Sequence, residues 1–279
     1  MSKDKQAIVL VRGGGDLATG VALRLHRAGV KVLITELAQP LAVRRMVSFS
    51  EAVYEGLHTV EGVTAQLVSW EQLEAGIDAN EIPVIVDPDA GILTSGLHDF
   101  IAVVDASLIK STPQPLAASI PLLIGLGPGF HAGRNCHAVI ETRRSHTLGR
   151  VYWEGPTQPD SGEPEGDPRR VLRAPSNGVL IARALIGDHV EEGQVVAVIS
   201  NESLVSSGGY LVVSPFKGVL RGLIRPGLQV TRGIKVGDVD VRDDPSACYL
   251  VSDKSLAIGG GVLEAILTRE EIRRRIYSN

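Results

Sequence analysis

Short apolar runs alternate with amphipathic stretches through the first half of the chain. Residues 7–12 form an apolar run typical of a buried parallel strand, and residues 17–28 carry apolar side chains at helical spacing. Gly29 then ends the helical pattern, and residues 30–37 form a second apolar run. This order predicts a βαβ unit with a right-handed crossover.

The same alternation continues to about residue 141. Four further strands are predicted, at residues 63–68, 82–87, 100–104 and 122–126. A helix is predicted at residues 41–54, between the earlier strands. Because strands that alternate with helices favour a parallel sheet with helices on both faces, we predict that residues 1–154 fold as a Rossmann-like α/β domain.

The pattern changes at residue 155. Residues 155–170 are rich in proline, glycine and acidic residues without periodicity, which is typical of a linker or loop. Short β-type runs separated by glycines follow, and residues 171–250 are predicted to form a small all-β module. Residues 251–279 are predicted to be a C-terminal segment with a helix that packs back on the first domain.

The all-β module contains an internal repeat. Seven positions recur after a shift of forty residues, first as Pro175, Gly178, Val179, Leu180, Gly187, Val190 and Gly193, and then as Pro215, Gly218, Val219, Leu220, Gly227, Val230 and Gly233. We predict that residues 174–199 and 214–239 are two copies of one β unit in a single small module. The pattern resembles the barrel-sandwich hybrid of biotinyl and lipoyl carrier domains. Residues 200–204 lack the lysine of such carriers, which favours a rigid module for docking or oligomerisation.

Composition limits the partners that the chain is expected to have. The 279 residues carry a formal net charge of −4 and only 4% aromatic residues, so no nucleic-acid partner is predicted. Residues 111–133 are uncharged but carry four prolines, and no membrane segment is predicted. The two cysteines, Cys136 and Cys248, lie far apart and are interpreted as reduced thiols of a cytoplasmic protein.

The candidate binding site is the turn between the first predicted strand and helix. Gly13, Gly15 and Ala18 match the dinucleotide-binding fingerprint, in which the glycines allow a sharp turn and close approach of a pyrophosphate. Gly14 lies inside this turn, and Glu36 ends the second strand where an acid would meet a ribose hydroxyl.

Asp16 leaves a second interpretation of this turn open. Its side chain can cap the helix, and its charge would then oppose a phosphate at the same helix end. The alternative to a binding site is therefore a tight turn that supports the fold and binds nothing.

Several other polar residues are weaker candidates. Lys110 follows a predicted strand and could hold an anionic ligand, or it could be an ordinary surface lysine. The strand-end acids Asp87 and Asp105 could orient a hydroxyl or a metal, although capping of the next element is the commoner role. Five residues with metal-ligating side chains lie close together in the sequence, namely His131, Cys136, His137, Glu141 and His146. The three glycines at 259–261 could form a second anion cradle. No metal site is predicted, because the spacings match no zinc template, and a flexible return of the last helix is the preferred interpretation of 259–261.

A set of longer motifs resembles a known family. The motifs occupy residues 13–20, 125–130, 139–151, 235–242 and 253–267. In this order they resemble the YqeB family of selenium-dependent molybdenum hydroxylase accessory proteins, which is related to the XdhC-type factors that mature xanthine dehydrogenase. Ser145, Cys136 and the residues after Lys110 depart from that family's pattern.

The resemblance implies a function that we state here as an expectation. It implies an accessory or maturation factor that binds the molybdenum cofactor, as molybdopterin or its dinucleotide, at Gly13, Gly14, Gly15, Asp16, Ala18, Glu36 and Lys110. It also implies a client molybdenum hydroxylase as partner, alongside a small-molecule cofactor and a possible homo-oligomer. The alternative is a nucleotide-dependent oxidoreductase that uses NAD(P). The sequence shows no acid–base constellation for such an enzyme, and it assigns no catalytic residues.

Overall fold

The computed structural model describes residues 7–75, 80–163, 166–200 and 209–277. The chain divides into two compact units. The first unit comprises Met1–Pro40, Phe49–Ser161 and Val251–Asn279, and the second comprises Leu41–Ser48 and Gly162–Leu250.

The first unit is built on a nine-stranded sheet. Its strands are β1 (Ala7–Arg12), β2 (Lys31–Glu36), β3 (Leu57–Val60), β4 (Val63–Leu67), β5 (Glu81–Val86), β6 (Asp99–Asp105), β7 (Leu123–Leu126), β9 (Ala138–Ile140) and β10 (Val151–Tyr152). Two short strands, β8 (His131–Ala132) and β11 (Gly155–Pro156), pair separately. The order in the large sheet is β10-β9-β7-β6-β1-β2-β5-β4-β3. The inner pairs are parallel, and the edge strands β3 and β10 are antiparallel to their neighbours. The sheet is therefore mixed.

The strand order reverses its direction at β1. The chain moves from β1 to β2 and onward to one side, and it returns to place β6 on the other side of β1. In open α/β sheets, ligands bind outside the carboxyl ends of the strands at such a switch point. The turn that follows Arg12 lies at this point.

Helices of the first unit are α1 (Asp16–Arg27), α2 (Ala52–Glu55), α3 (Trp70–Ala75), α4 (Asp253–Thr268) and α5 (Glu270–Tyr277). α1 buries Ala18, Val21, Ala22 and Leu25 completely or almost so, as its helical spacing predicts. α4 packs on α1 with backbones in close approach. A Cβ atom on Gly259 would lie 2.6 Å from the carbonyl oxygen of Gly20, so only a glycine fits there.

The three glycines at 259–261 are thus part of a helix. They lie in the middle of α4, which begins at Asp253, and the interpretation of them as an anion cradle or flexible return is wrong. The physical reason is packing: a Cβ on Gly261 would lie 2.1 Å from the carbonyl oxygen of Gly149. Glycine lowers helix propensity, but here it allows helix and loop to meet.

The predicted helix at 41–54 is also wrong. The segment is divided between the units and contains two 3-10 turns, Arg45–Val47 and Phe49–Glu51, before the single turn of α2. Within the second unit, Arg44 donates to the carbonyl oxygens of Ala247 and Leu250 at 3.1 and 2.9 Å. These distant backbone partners override the local helical pattern.

The second unit consists of two four-stranded sheets. Its strands are β12 (Val171–Arg173), β13 (Gly178–Ala182), β14 (His189–Val190), β15 (Val195–Ser200), β16 (Tyr210–Val213), β17 (Gly218–Leu223), β18 (Gln229–Val230) and β19 (Lys235–Asp240). The sheet orders are β12-β19-β17-β14 and β16-β15-β13-β18. The long strands of the two repeat copies therefore lie in separate sheets, whereas two copies of one β unit in a single small module were predicted. Residues 201–204 of the carrier-type segment lie outside the described residues.

Corresponding residues of the two copies make reciprocal hydrogen bonds. The amide of Gly187 donates to the carbonyl oxygen of Leu220 at 2.9 Å, and forty residues on, Gly227 donates to Leu180 at 2.8 Å. Each copy also contributes its short strand to the sheet of the other, since β14 pairs with β17 and β18 pairs with β13. A substitution that disturbs the short strand of one copy therefore disturbs a sheet that also contains strands of the other copy.

We predict opposite effects for alanine at two adjacent positions of α4. Gly259→Ala forces its Cβ into α1 and should lower the free energy of unfolding by about 1–3 kcal/mol. Gly260→Ala, whose Cβ meets nothing within 4 Å, should raise it by about 0.5–1 kcal/mol through helix propensity. Chemical denaturation of both variants measures the difference, and effects of the same sign would contradict the packing described here.

Candidate functional site

The turn after β1 is closed by hydrogen bonds to β2. Gly13 has φ +97°, which favours glycine, and its amide donates to the carbonyl oxygen of Thr35 at 2.8 Å. The amide of Gly14 donates to Oε2 of Glu36 at 2.6 Å. The other carboxylate oxygen of Glu36 accepts from the amide of Leu37 at 2.7 Å. Glu36 therefore fastens the turn to the end of β2.

The outer side of Gly14 is covered by the segment that begins at Phe49. The carbonyl oxygen of Gly14 accepts from the amide of Ser50 at 2.8 Å and from Oγ1 of Thr19 at 3.2 Å. A Cβ on Gly14 would lie 2.9 Å from the nitrogen of Ser50. Packing within the protein therefore accounts for a glycine at this position.

Gly15 differs from its two neighbours. Its φ of −69° and ψ of −178° are extended backbone that any residue adopts, and a Cβ built on it meets nothing within 4 Å. Gly15 is the N-cap of α1, and no side chain caps the helix there. The fold therefore explains Gly13 and Gly14, whereas Gly15 leaves open space beside the first turn of the helix.

Asp16 is the first residue of α1 and does not occupy its N-cap position. Its Oδ1 accepts a hydrogen bond from Oγ of Ser255 at 2.8 Å, so it joins the first turn of α1 to the first turn of α4. The capping role predicted for Asp16 is wrong because the cap position belongs to Gly15. Its negative charge nevertheless lies in the first turn of the helix.

Glu36 and Ala18 occupy buried positions beside the turn. Ala18 is 1% exposed on the face of α1 that packs in the core, where a small side chain lets the helix approach the sheet. Burial raises the pKa of Glu36, and its hydrogen bonds from Leu37 and Gly14 act in the opposite direction. A ribose contact by Glu36 stays a prediction, and its observed partners are backbone amides.

Acids at the ends of neighbouring strands are used by the protein itself. Asp87 accepts from the amides of Gly91 and Ile92, both at 2.9 Å, and so caps the next 3-10 turn. Asp105 forms an ion pair with Arg12 at 3.1 Å. Arg12 precedes the turn directly, and its ion pair ties the end of β1 to the end of β6.

Lys110 lies on a loop after β6. Its ammonium group pairs with Asp160 at 2.6 Å, and its side chain is 70% exposed. A role in anion binding stays a prediction for this residue.

The cluster of histidines, Cys136 and Glu141 forms no metal site among the described residues. The carboxylate of Glu141 accepts from the amides of Arg143 and Gln158, both at 2.8 Å. Burial raises the pKa of Cys136 to about 11, so its thiol stays protonated at neutral pH.

Two residues of the site could not be found from the sequence motif. Ser255 lies in α4 and Ser50 lies after β2, and both are joined to the turn only by tertiary folding.

In the part of the chain that the structure describes, no helix is long and apolar enough to cross a membrane.

The fold and the turn define a mixed α/β protein with a Rossmann-type glycine turn. No family model matches the chain. The chain is 44% identical over 266 residues to the uncharacterized protein YqeB of Escherichia coli strain K12, which supports the resemblance to the YqeB family. The match covers 93% of this chain and 47% of that protein, so the chain spans about half the length of this relative.

Solved structures similar to this chain have low scores. An aspartoacylase family protein from Mesorhizobium loti is 13% identical, with a TM-score of 0.29 and coverage of 85% of each chain. A succinylglutamate desuccinylase/aspartoacylase from Rhodobacter sphaeroides is 15% identical, with a TM-score of 0.28 and coverage of 84% of this chain and 85% of that chain. The ectoine utilization protein EutE (DoeB) from Ruegeria pomeroyi, in its product-bound form, is 11% identical, with a TM-score of 0.30 and coverage of 85% and 86%. Scores of this size do not transfer an activity to this chain.

The function expected from the family resemblance finds no support among these structures. None of the three proteins is described as a molybdenum hydroxylase maturation factor or as a nucleotide-dependent oxidoreductase. We therefore withdraw the predicted maturation role, its selenium and molybdenum associations, the client hydroxylase and the oxidoreductase alternative. The link to XdhC-type factors is likewise not shown.

We predict that removing the charge of Asp16 strengthens anion binding at this helix end. Asp16→Asn keeps an acceptor for Ser255 but removes a like charge beside the first-turn amides. The affinity for inorganic pyrophosphate should rise about fivefold, equivalent to about 1 kcal/mol, and the gain should shrink at high salt. Calorimetric titrations at low and high salt test this. An unchanged affinity at low salt would mean that no anion binds near Asp16.

Proposed function

We propose that the first unit binds a phosphate-bearing ligand of the nucleotide class at the N-terminal end of α1. The observation that carries this proposal is Gly15, the one glycine of the turn that the fold does not require. Its backbone conformation suits any residue, and the space beside it is open. A glycine at this position allows a phosphate to approach the backbone closely.

The helix end supplies the attraction for an anion. The first-turn amides of a helix have no partner within the helix, and the helix dipole adds a partial positive charge. The N-cap residue of α1, Gly15, has no side chain that could accept from these amides, so they can donate to phosphate oxygens. The amide of Gly14 is not among the donors because Glu36 already accepts its hydrogen bond.

The position of the turn in the sheet leaves room for a ligand that extends beyond its phosphates. The turn lies where β2 and β6 flank β1, with Glu36 ending one neighbour and Asp105 ending the other. A mononucleotide or dinucleotide can place its phosphates on α1 and extend along this edge. For a ribose, the lone pairs of Glu36 that remain beside its two backbone hydrogen bonds are the available acceptors.

We predict that Gly15→Asp abolishes binding while the fold is retained. An aspartate N-cap accepts from the first-turn amides and fills the phosphate position, so the variant should be as stable as the parent or slightly more stable. Affinity for ADP, NAD and inorganic pyrophosphate should fall by about tenfold or more, since charge-assisted hydrogen bonds are lost. Titration calorimetry with thermal unfolding of each variant measures both effects.

Gly260→Ala serves as the matched control because it also adds a Cβ where nothing lies within 4 Å. It should leave the affinity unchanged. Equal affinities of Gly15→Asp and the parent protein, with both folded, would refute the proposed site. Absence of binding by the parent protein to all three probes would refute the proposed function.

A further inference from the structure

A cavity of about 620 Å³ lies in the first unit, and none of residues 13–18 lines it. Its floor includes Asp105 at the end of β6 and Leu123 at the start of β7. Its volume lies within the range of small-molecule pockets, roughly 300–1,000 Å³. The residues of the turn proposed to hold phosphate are not part of this lining.

The walls of the cavity are mostly apolar and partly aromatic. Phe130 and Trp153 line it, together with the proline-rich stretch that contains Pro113 and Pro115. The guanidinium of Arg269 stacks 4.7 Å from the ring centroid of Trp153, which holds that ring in place. A lining of aromatic rings and prolines suits a planar aromatic ligand.

One free cation lines this cavity among the described residues. Arg134 belongs to the loop between β8 and β9, and its guanidinium makes no hydrogen bond or ion pair within the described chain. The acid on the floor, Asp105, is already neutralised by Arg12 at 3.1 Å. Cys136 also lines the cavity, and burial raises its pKa to about 11, so it adds no charge. Among the described residues, the lining therefore offers an unpaired cation, Arg134, whereas its acid is already paired with Arg12.

His137 adds a fixed hydrogen-bond donor. Its Nδ1 accepts from the amide of Leu123 at 2.8 Å, and its own amide donates to the carbonyl oxygen of Leu123 at 2.8 Å. Because Nδ1 acts as an acceptor, the ring proton lies on Nε2. Nε2 is thus the nitrogen that can donate to a ligand. The side chain lines the cavity beside Arg134.

We propose that this cavity is a second ligand site, which binds a small aromatic carboxylate. Its ring would lie between Trp153, Phe130 and the prolines, and its carboxylate would accept from the Arg134 guanidinium and from Nε2 of His137. A planar carboxylate matches the guanidinium fork better than an isolated apolar ring does. This site does not depend on the nucleotide proposal, since none of the residues of the turn lines the cavity.

The native tryptophans provide a direct assay. The chain contains two, and Trp70 lies outside the cavity on α3, so Trp70→Phe leaves Trp153 as the sole reporter. Titration of this protein with 2-naphthoate should change the Trp153 emission in a saturable manner. The neutral analogue 2-naphthamide and inorganic phosphate serve as the two comparison probes.

Two variants test separately the charge of Arg134 and the free volume of the cavity. Arg134→Met keeps the length of the side chain and should weaken 2-naphthoate binding by about tenfold or more. Ala118→Phe, which fills the cavity from its proline-rich wall and adds no second tryptophan, should abolish binding without changing any charge. Arg232→Met, at an exposed arginine of the second unit, is the matched control and should bind as the parent does.

The outcomes distinguish this proposal from its competitors. Gly15→Asp should leave the affinity for 2-naphthoate unchanged, so failure of the nucleotide site and failure of this site are separate results. Equal affinities for 2-naphthoate and 2-naphthamide would overturn the anion site, and so would an unchanged affinity of folded Arg134→Met. Absence of saturable binding by the folded parent would overturn the proposal as a whole, as would stronger binding of inorganic phosphate than of 2-naphthoate.

Discussion

The hydrogen bond from the amide of Gly14 to the buried carboxylate of Glu36 determines the chemistry of the turn. It connects the loop after β1 with the end of β2 at 2.6 Å, and Gly14 is the buried glycine of the three. Because Ser50 and Thr19 cover the carbonyl oxygen of Gly14, the polar groups of this residue are fully used. An anion is therefore left with the first turn of α1, at Gly15 and beyond. The same carboxylate that was expected to meet a ribose is first of all a part of the turn.

The local pattern of the sequence predicted six of the nine strands in the large sheet and missed β3, β9 and β10. Predicted strand 7–12 coincides with β1, and 63–68 differs from β4 by one residue, because buried parallel strands are short apolar runs. The failures have long-range causes. Residues 41–54 have a helical pattern, but Arg44 binds carbonyl groups some two hundred residues away, and no local pattern contains that information. The start of α4 was missed because three consecutive glycines resemble a break, whereas Gly259 is required by close packing on Gly20 and Gly261 by close packing on Gly149.

The candidate site could be predicted only in part for the same reason. The fingerprint located Gly13, Gly14 and Gly15, but it could not separate the two glycines needed by the fold from the one that leaves open space. Asp16 looked like a helix cap, and its actual partner, Ser255, lies 239 positions further along the chain. The cavity at Trp153 joins loops from three parts of the first unit, so its lining has no sequence motif.

The central claim is that phosphate binds the first-turn amides of α1, and amide chemical shifts test it most directly. We would titrate ¹⁵N-labelled protein with ADP and follow the backbone amides of the turn. The claim predicts large, saturable shifts for Gly15, Asp16 and Leu17, with a smaller change at Gly14, whose amide remains bonded to Glu36. Saturable shifts confined to other regions, or an unchanged spectrum at the turn, would contradict it.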